Sequence, residues 1–458
     1  MHQQMQTDAT IIAQCTPSGS GAIALLRLSG ADAIIIVDRF SKLTQGQTLK
    51  AQASHTVHYG QIIDQDKQVV DQVMFIVMIA PKTFTGENVV EITCHNNPFI
   101  IEKIIGLAIF HGARLAHKGE FAQRSFLNNK IDLVQAEAIN SLIHAHTEQA
   151  MQKSLSQLKG SLTNWSQQIE QSLYKCLALS EASFEFIDEE MDFGPQIRTE
   201  LEQVITQIKL AQQSYGIQQQ IKDGVRIAII GTVNAGKSAL FNALLKRERA
   251  IVTPIAGTTR DSIEAGIYTN QHYLTLVDTA GLRQTDDYVE QIGIERSMAE
   301  AHQADLILLV FDTSRMVTPA ELAIYQEIMT KYQDKIILVG NKCDQIIKLE
   351  LPDQFKNLNL VSAQGLNGLT ELEALVLGRI KQLLETDSSP FLLNQRQFNI
   401  LSTVASNCQQ ILTMITNPEY ELISLHLNEI LQILSALTGQ SITEQGLETI
   451  FREFCVGK

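Results

Sequence analysis

The 458-residue chain is poor in the features that mark secreted, membrane-spanning or zinc-bound proteins. Its six cysteines (Cys15, Cys94, Cys176, Cys343, Cys408, Cys455) are scattered and form no CxxC pair. That spacing suggests neither a disulfide framework nor a zinc site. No apolar run reaches the roughly 18 residues of a membrane span. Met1-His2-Gln3-Gln4-Met5 lacks a basic stretch leading into an apolar one, so no secretory signal is expected and a cytoplasmic location is. Basic charge is scarce as well. Lys and Arg total 36 against 50 Asp and Glu, a net charge of −14. This argues against nucleic-acid binding through bulk charge. No period of roughly 20–50 residues marks a repeat array.

What is present is ordinary for a globular protein: 45% hydrophobic and 19% charged residues. The length suits roughly two to four domains. The acidity is uneven. Residues 1–127 carry 10 basic and 10 acidic side chains, residues 128–222 carry 7 and 12, residues 223–384 carry 16 and 20, and residues 385–458 carry 3 and 8. An RNA substrate would therefore need a local patch or a partner to supply positive field.

Three textures follow one another. Residues 1–127 alternate short β-rich runs (22–28, 73–79, 89–94) with turn signals such as Pro17-Ser18-Gly19-Ser20-Gly21, which predicts an α+β domain. Over 131–187 the pattern is helical, with Leu133, Ala136, Ile139, Leu142 and Ile143 on one face. The run Asp188-Glu189-Glu190 and Phe193-Gly194-Pro195 break it before another helix begins. At Asp223-Gly224 strands start to alternate with helices, predicting an α/β domain over 223–384. Helical periodicity returns with Ile423, Leu427, Ile430, Leu431, Leu434 and Leu437. Gly439 stops that helix, and Ser441 with Glu444 has capping-box spacing for the last one. The economical arrangement is an all-α helical domain in two segments, 128–222 and 385–458, with the α/β domain inserted between them.

The apolar run 225–230 leads into Gly231-Thr232-Val233-Asn234-Ala235-Gly236-Lys237-Ser238, and 239–245 starts a helix. This is GxxxxGK[ST] in its strand–loop–helix context. Glycines let backbone N–H groups close around phosphate oxygens, and the helix N-terminus adds positive potential. Asn234, Ala235, Gly236, Lys237, Ser238 and Ala239 are the candidate phosphate contacts. Lys237 would reach the β- and γ-phosphates, and the Ser238 hydroxyl would bind magnesium. Gly257-Thr258-Thr259-Arg260-Asp261 is a polar loop that can fold over the metal, with Thr259 as second magnesium ligand; alone it also reads as a plain turn. The strand 273–277 ends in Asp278-Thr279-Ala280-Gly281, where Asp278 suits water-mediated magnesium binding and the Gly281 N–H suits the γ-phosphate.

The run 335–340 leads into Asn341-Lys342-Cys343-Asp344. A carboxylate here accepts the two donors on the guanine edge. Adenine lacks both, so Asp344 selects GTP over ATP. Ser362 and Ala363 follow the strand 358–361 and would pack beside the base. Hydrolysis is less legible. Leu282 stands where many small GTPases place a water-orienting glutamine. Arg260, Arg283, Asp286, Asp287 and Glu290 are the polar candidates nearby, and a solvated helix explains all of them equally.

The chain resembles the MnmE (TrmE) family of tRNA uridine 5-carboxymethylaminomethyl modification GTPases over essentially its full length. The segments that carry the resemblance are Ala13-Gln14-Cys15-Thr16-Pro17, Arg27-Leu28-Ser29-Gly30, Pro81-Lys82-Thr83-Phe84-Thr85-Gly86-Glu87, Gly119-Glu120-Phe121, Leu127-Asn128-Asn129-Lys130, Gly257-Thr258-Thr259-Arg260-Asp261 and Phe454-Cys455-Val456-Gly457-Lys458. The resemblance implies an N-terminal dimerising, folate-binding domain, a helical domain in two pieces and an inserted Ras-like GTPase domain. It implies a homodimer that joins an FAD-dependent partner in a heterotetramer and acts at the wobble uridine of tRNA, with tetrahydrofolate bringing a one-carbon unit. By match of position, Arg27, Glu91, Lys130 and Lys458 are the implied folate contacts. Read without the family, Arg27 and Glu91 are residues of a solvated strand face. Asn234, Thr253, Ile255 and Thr258 are the implied potassium ligands, and Glu290 the implied water-orienting catalytic residue. One departure concerns Asn96-Asn97 after His95, where the family has Gly-Gly; a turn through positive φ is still expected there. Cys455 has the spacing of a prenylation box, but Gly457 and Lys458 fit that box poorly. Two rival readings from other classes are a ribosome-assembly GTPase switch, which predicts a basic RNA-binding appendage, and a membrane scaffold, which predicts a basic amphipathic helix.

Overall fold

The computed structural model describes residues 9–44, 46–185, 193–213, 215, 224–247, 263–269, 272–278, 298–355, 357–384, 389–416, 419–454 and 456–457. The chain divides into two compact units. One comprises Met1–Asn140, Leu158–Leu201 and Ser406–Lys458; the other comprises Ser141–Gln157 and Glu202–Ala405.

In the first unit, strands β1 (Ile11–Gln14), β2 (Ile23–Ser29), β3 (Ser41–Leu43), β4 (Thr56–Ile63), β5 (Val69–Met78), β6 (Val89–His95) and β7 (Arg114–Leu115) form one sheet in the order β3-β4-β5-β6-β2-β1-β7. All pairs are antiparallel except β1 with β7. The period-2 pattern explains the buried face: Ala24, Leu26 and Leu28 of β2 and Val73, Phe75 and Val77 of β5 point into one core. Strand β1 is covered on both faces, with Ile12 in that core and Ile11 and Ala13 against Phe121. Strands β2, β5 and β6 were legible as runs. The short β3 and β7 and the strand β4 were not, because each is partly exposed or only two or three residues long.

Asn96-Asn97 departs from the expected positive-φ turn. Asn97 sits at φ −119 and its side chain accepts the Phe99 N–H, capping the helix Pro98–Phe110. The Asn96 side-chain amide donates to Gly19 O at 2.7 Å. Both asparagines thus act through their side chains rather than through an unusual backbone.

The helical pattern read as continuous over 131–187 is three helices, Leu133–Ile143, Glu148–Leu158 and Ser161–Glu185. Of the expected face of the first, Leu133 and Ala136 are buried, whereas Ile143 is exposed. Thr147 starts the next helix by accepting the Ala150 N–H on its hydroxyl at 3.0 Å. That helix belongs to the second unit: Ala150 joins its core, and His146 stacks on Tyr273 with ring centroids 4.6 Å apart. Tertiary packing, not propensity, sets the break. The helix Tyr420–Thr438 buries the six residues of the predicted stripe and ends at Gly439, φ +95. Its successor, Glu444–Phe451, is capped by Thr443, which accepts the Gly446 N–H. Ser441, the expected cap, instead bonds Gln432 O and the Ser435 hydroxyl. Among the described residues no helix is long and apolar enough to cross a membrane.

The second unit is built on a six-stranded sheet. Strands β8 (Val225–Gly231), β9 (Ile263–Thr269), β10 (His272–Asp278), β11 (Leu306–Asp312), β12 (Ile336–Asn341) and β13 (Asn359–Leu360) lie in the order β13-β12-β11-β8-β10-β9. Only β9 with β10 is antiparallel. All seven residues of β11 are buried, as expected of a central parallel strand covered on both faces. Helices Lys237–Arg247 and Leu369–Leu384 pack on one face through Leu240, Leu244, Leu372 and Val376. Helix Pro319–Tyr332 packs on the other through Tyr325 and Ile328. Because β8, β10, β11 and β12 are parallel, their carboxyl ends meet at one edge, where α/β sheets bind ligands.

Candidate nucleotide site and the N-terminal arginine site

At that edge β8 feeds the loop through Gly231-Thr232-Val233-Asn234-Ala235-Gly236, and helix Lys237–Arg247 begins at Lys237, two residues before the expected start. Asn234 turns through φ +63 and Gly236 through φ +87. A Cβ on Gly236 would stand 2.2 Å from Asn341 Nδ2, so this position admits glycine alone. Lys237 is largely buried, and its ammonium donates to Gly231 O at 2.8 Å and Thr232 O at 2.9 Å. Ser238 lies exposed in the first helical turn, beside the loop.

The sheet brings the base-reading segment to the same place. Asn341, buried at the end of β12, donates from Nδ2 to Ala235 O at 3.0 Å and accepts the Ala363 N–H on Oδ1 at 3.1 Å. Its own carbonyl accepts from the Thr313 N–H and hydroxyl. One amide side chain thus joins the 231–236 loop, the Asn341–Asp344 segment and the 362–363 segment. Lys342 turns through φ +67 and donates to Asp312 Oδ2 at 2.6 Å. Burial favours a neutral Asp312, but bonds from Lys342 and Ser314 outweigh it and hold the carboxyl below the usual range. Asp344 is exposed at this edge. Ser362 is buried and its hydroxyl accepts the Gly365 N–H at 2.8 Å, which fixes the turn that carries Ala363.

Thr253, Ile255, Thr258, Thr259, Thr279, Ala280, Gly281 and Glu290 lie outside the described residues, as does the side chain of Asp278. Three residues that the sequence reading missed stand in the site: Asp312, Arg315 and Tyr325. For Asp312 and Arg315 the available signal was position. Asp312 ends an apolar strand and Thr313-Ser314-Arg315 directly follow it, at the carboxyl edge where parallel sheets place function.

In the first unit, Arg27 and Glu91 are cross-strand partners on β2 and β6. The Arg27 Nε donates to Glu91 Oε1 at 2.8 Å, and Nη2 lies 2.7 Å from the same oxygen. Their side chains are only 20% and 15% exposed, so the solvated-strand-face reading gives way to a half-enclosed ion pair. The Arg27 guanidinium also lies 5.7 Å from the Phe121 ring centroid and 6.0 Å from that of Phe84. Gly457 closes the group: its carbonyl accepts from Cys15 Sγ at 3.2 Å and lies 3.5 Å from Arg27 Nη1. Lys130 is exposed, in a turn past helix Glu120–Leu127, with its Cε close to Gly86. Lys458 lies outside the described residues.

Beside Arg27's neighbour Phe121 runs a buried ionic chain that the sequence did not reveal. Arg124 and Glu120 are each 4% exposed and pair at 2.9 Å. Arg124 also bonds both oxygens of Glu87, at 3.1 and 3.0 Å, and Ala9 O at 2.7 Å. Arg114 completes Glu120 from the other side, and Ser29 donates to Glu87 at 2.7 Å.

A three-layer α/β sheet, a phosphate loop running into a helix and a guanine-type Asn-Lys-x-Asp fastened to that loop define the class: a P-loop GTPase. Comparison with known proteins narrows it. A family model described as the GTP-binding protein TrmE N-terminus matches residues 10–130, and one described as the MnmE helical domain matches residues 133–455. The tRNA modification GTPase MnmE of Aquifex aeolicus is 38% identical over 454 residues, covering 98% of this chain and 99% of that protein. Those of Bacillus cytotoxicus and Flavobacterium psychrophilum are 36% and 34% identical, each over 98% of this chain and 99% of the relative. The chain belongs to the MnmE (TrmE) family of tRNA modification GTPases.

Proposed function

We propose that this protein hydrolyses GTP to GDP and phosphate and couples that reaction to 5-carboxymethylaminomethyl modification of the wobble uridine of tRNA, together with an FAD-dependent partner. The observation that carries the reading is the Asn341 side chain, which fastens the base-reading segment to the phosphate loop within one compact unit. In this reading the chain is a cytoplasmic homodimer that assembles with its partner as a heterotetramer. A reduced folate, in the form of tetrahydrofolate, supplies the carbon at the Arg27–Glu91 pair, with Lys130 and Lys458 as further contacts. The half-enclosed guanidinium, flanked by Phe84 and Phe121, has the charge and the flat apolar neighbours that suit a folate's carboxylates and rings. The decisive test is analysis of modified nucleosides in tRNA from cells lacking the chain. The wobble modification should be missing, wild type should restore it, and Arg27→Ala should not. Unaltered tRNA in the deleted strain would defeat the reading.

Magnesium fits the loop: Ser238, exposed in the first helical turn, would supply one hydroxyl oxygen and Thr259 the second. A bound magnesium would neutralise charge on the phosphates. Asn234, Thr253, Ile255 and Thr258 would hold potassium beside it. Glu290 would then orient the attacking water that Leu282 cannot. Hydrolysis is expected to be several-fold faster in potassium than in sodium at matched ionic strength. Glu290→Ala is expected to keep GTP affinity and lose at least roughly tenfold in single-turnover rate, about 1.4 kcal/mol of transition-state stabilisation. Rapid-quench rates equal in both salts would remove the potassium site, and a wild-type rate for the variant would remove the glutamate from catalysis.

A further inference from the structure

Thr232, the first variable residue of the phosphate loop, is gripped from behind by two side chains of the following β–α segment. Its backbone N–H donates to Tyr325 Oη at 3.0 Å, and its hydroxyl accepts from Arg315 Nη2 at 3.2 Å. The same Tyr325 oxygen lies 3.2 Å from the Thr232 hydroxyl and donates to Val310 O at 2.8 Å. Both grips are rigid. Tyr325 is 2% exposed and stacks on Phe311 with centroids 4.1 Å apart. Arg315 is forked onto Glu321 at 2.6 and 3.0 Å. Glu321 is itself held, because it closes the capping box of helix Pro319–Tyr332 with Thr318.

The opposite side of Thr232 faces the chemistry. Its carbonyl accepts from Lys237 Nζ at 2.9 Å and from the Ala235 N–H at 3.3 Å. The Thr232 N–H that Tyr325 holds shares its peptide plane with the Gly231 carbonyl, which accepts from Lys237 Nζ at 2.8 Å. Tyr325 through that plane, and Arg315 through the Thr232 hydroxyl, therefore hold the two carbonyls on which the Lys237 ammonium stands. A charged group that must meet phosphate oxygens works only if it is held in place beforehand.

We infer that Tyr325 and Arg315 are positioning residues for the nucleotide's β-phosphate, acting through Thr232 on Lys237. The inference rests on the reading of 231–238 as the phosphate loop. It is tested in the full chain by competition titration with GDP and GMP, alongside thermal unfolding. Tyr325→Phe removes the acceptor of the Thr232 N–H while keeping the ring stacked on Phe311. It should weaken GDP binding about tenfold and leave GMP, which lacks the β-phosphate, unchanged. Arg315→Ala, at a partly exposed position, should weaken GDP by a smaller factor with the same indifference to GMP. It serves in place of Tyr325→Phe if that variant fails to fold. A purely structural role would lower the unfolding temperature and leave the GDP to GMP ratio as in wild type, and that result overturns the inference. Equal loss for both nucleotides overturns it too, since the effect would then not lie at the β-phosphate. A wild-type chain that bound no GDP would instead defeat the phosphate-loop reading.

Discussion

Arg124→Ala is expected to destabilise the N-terminal sheet by roughly 3–5 kcal/mol, the range for breaking a buried ion pair by removing one partner. The magnitude follows from what is left behind. Glu120 would keep Arg114, but Glu87 would lose both guanidinium contacts and be left on the Ser29 hydroxyl. The Ala9 carbonyl would lose its donor as well. Glu120 adds a pH dependence of known sign. Burial pushes its carboxyl up, yet donors from Arg114, His117 and Arg124 prevail and bring it from 4.5 down to about 2. A carboxylate depressed in the folded state contributes stability that is complete above its unfolded value and is lost as pH falls through the folded one. Stability should therefore be level above about pH 4.5 and fall between there and pH 2, a total on the order of 3 kcal/mol. Hydrogen exchange of the β1 and β2 amides under mild denaturant reads this unit separately from the other. Loss of under about 1 kcal/mol in Arg124→Ala would mean that the chain of charges is incidental.

Asp344→Asn is expected to weaken GTP binding by roughly 2 kcal/mol or more, because it replaces a charged acceptor facing two donors by a neutral group that offers one. The surrounding structure makes this a clean substitution. Asp344 is exposed, and the turn that presents it is held by other groups: Lys342 on Asp312, and the Cys343 N–H on Val361 O at 3.1 Å. The variant should therefore fold normally. A competition titration of GTP against ATP should show the guanine preference collapsing. Unchanged preference would remove Asp344 from base reading.

The candidate nucleotide site was legible because its parts are backbone devices with fixed spacing. A phosphate loop needs its glycine at 236 and its lysine at 237, and these stand in order in the chain whatever surrounds them. What anchors the loop was not legible. Tyr325 comes 93 residues after the Thr232 it holds, and a tyrosine on an apolar helix face looks like any other core residue. The same holds in the sheet unit. Arg27 and Glu91 looked solvated because strand alternation alone does not reveal the aromatic rings of Phe84 and Phe121 beside them. Capping at Thr443 rather than Ser441 shows a smaller limit: two hydroxyls near one helix start compete, and the loop's path from Gly439 decides between them.

Gly457 closing over Arg27 has a consequence for the order in which the protein is made. The two residues are 430 positions apart. At about 5–20 residues per second, a ribosome takes roughly 20–90 s to travel that distance. For that interval the sheet can form around the Arg27–Glu91 pair while the residue that closes the group, Gly457, is still to be synthesised. Completion of the surroundings of Arg27 is thus a late event in the life of each nascent chain, reserved for molecules whose intervening α/β unit has already been translated.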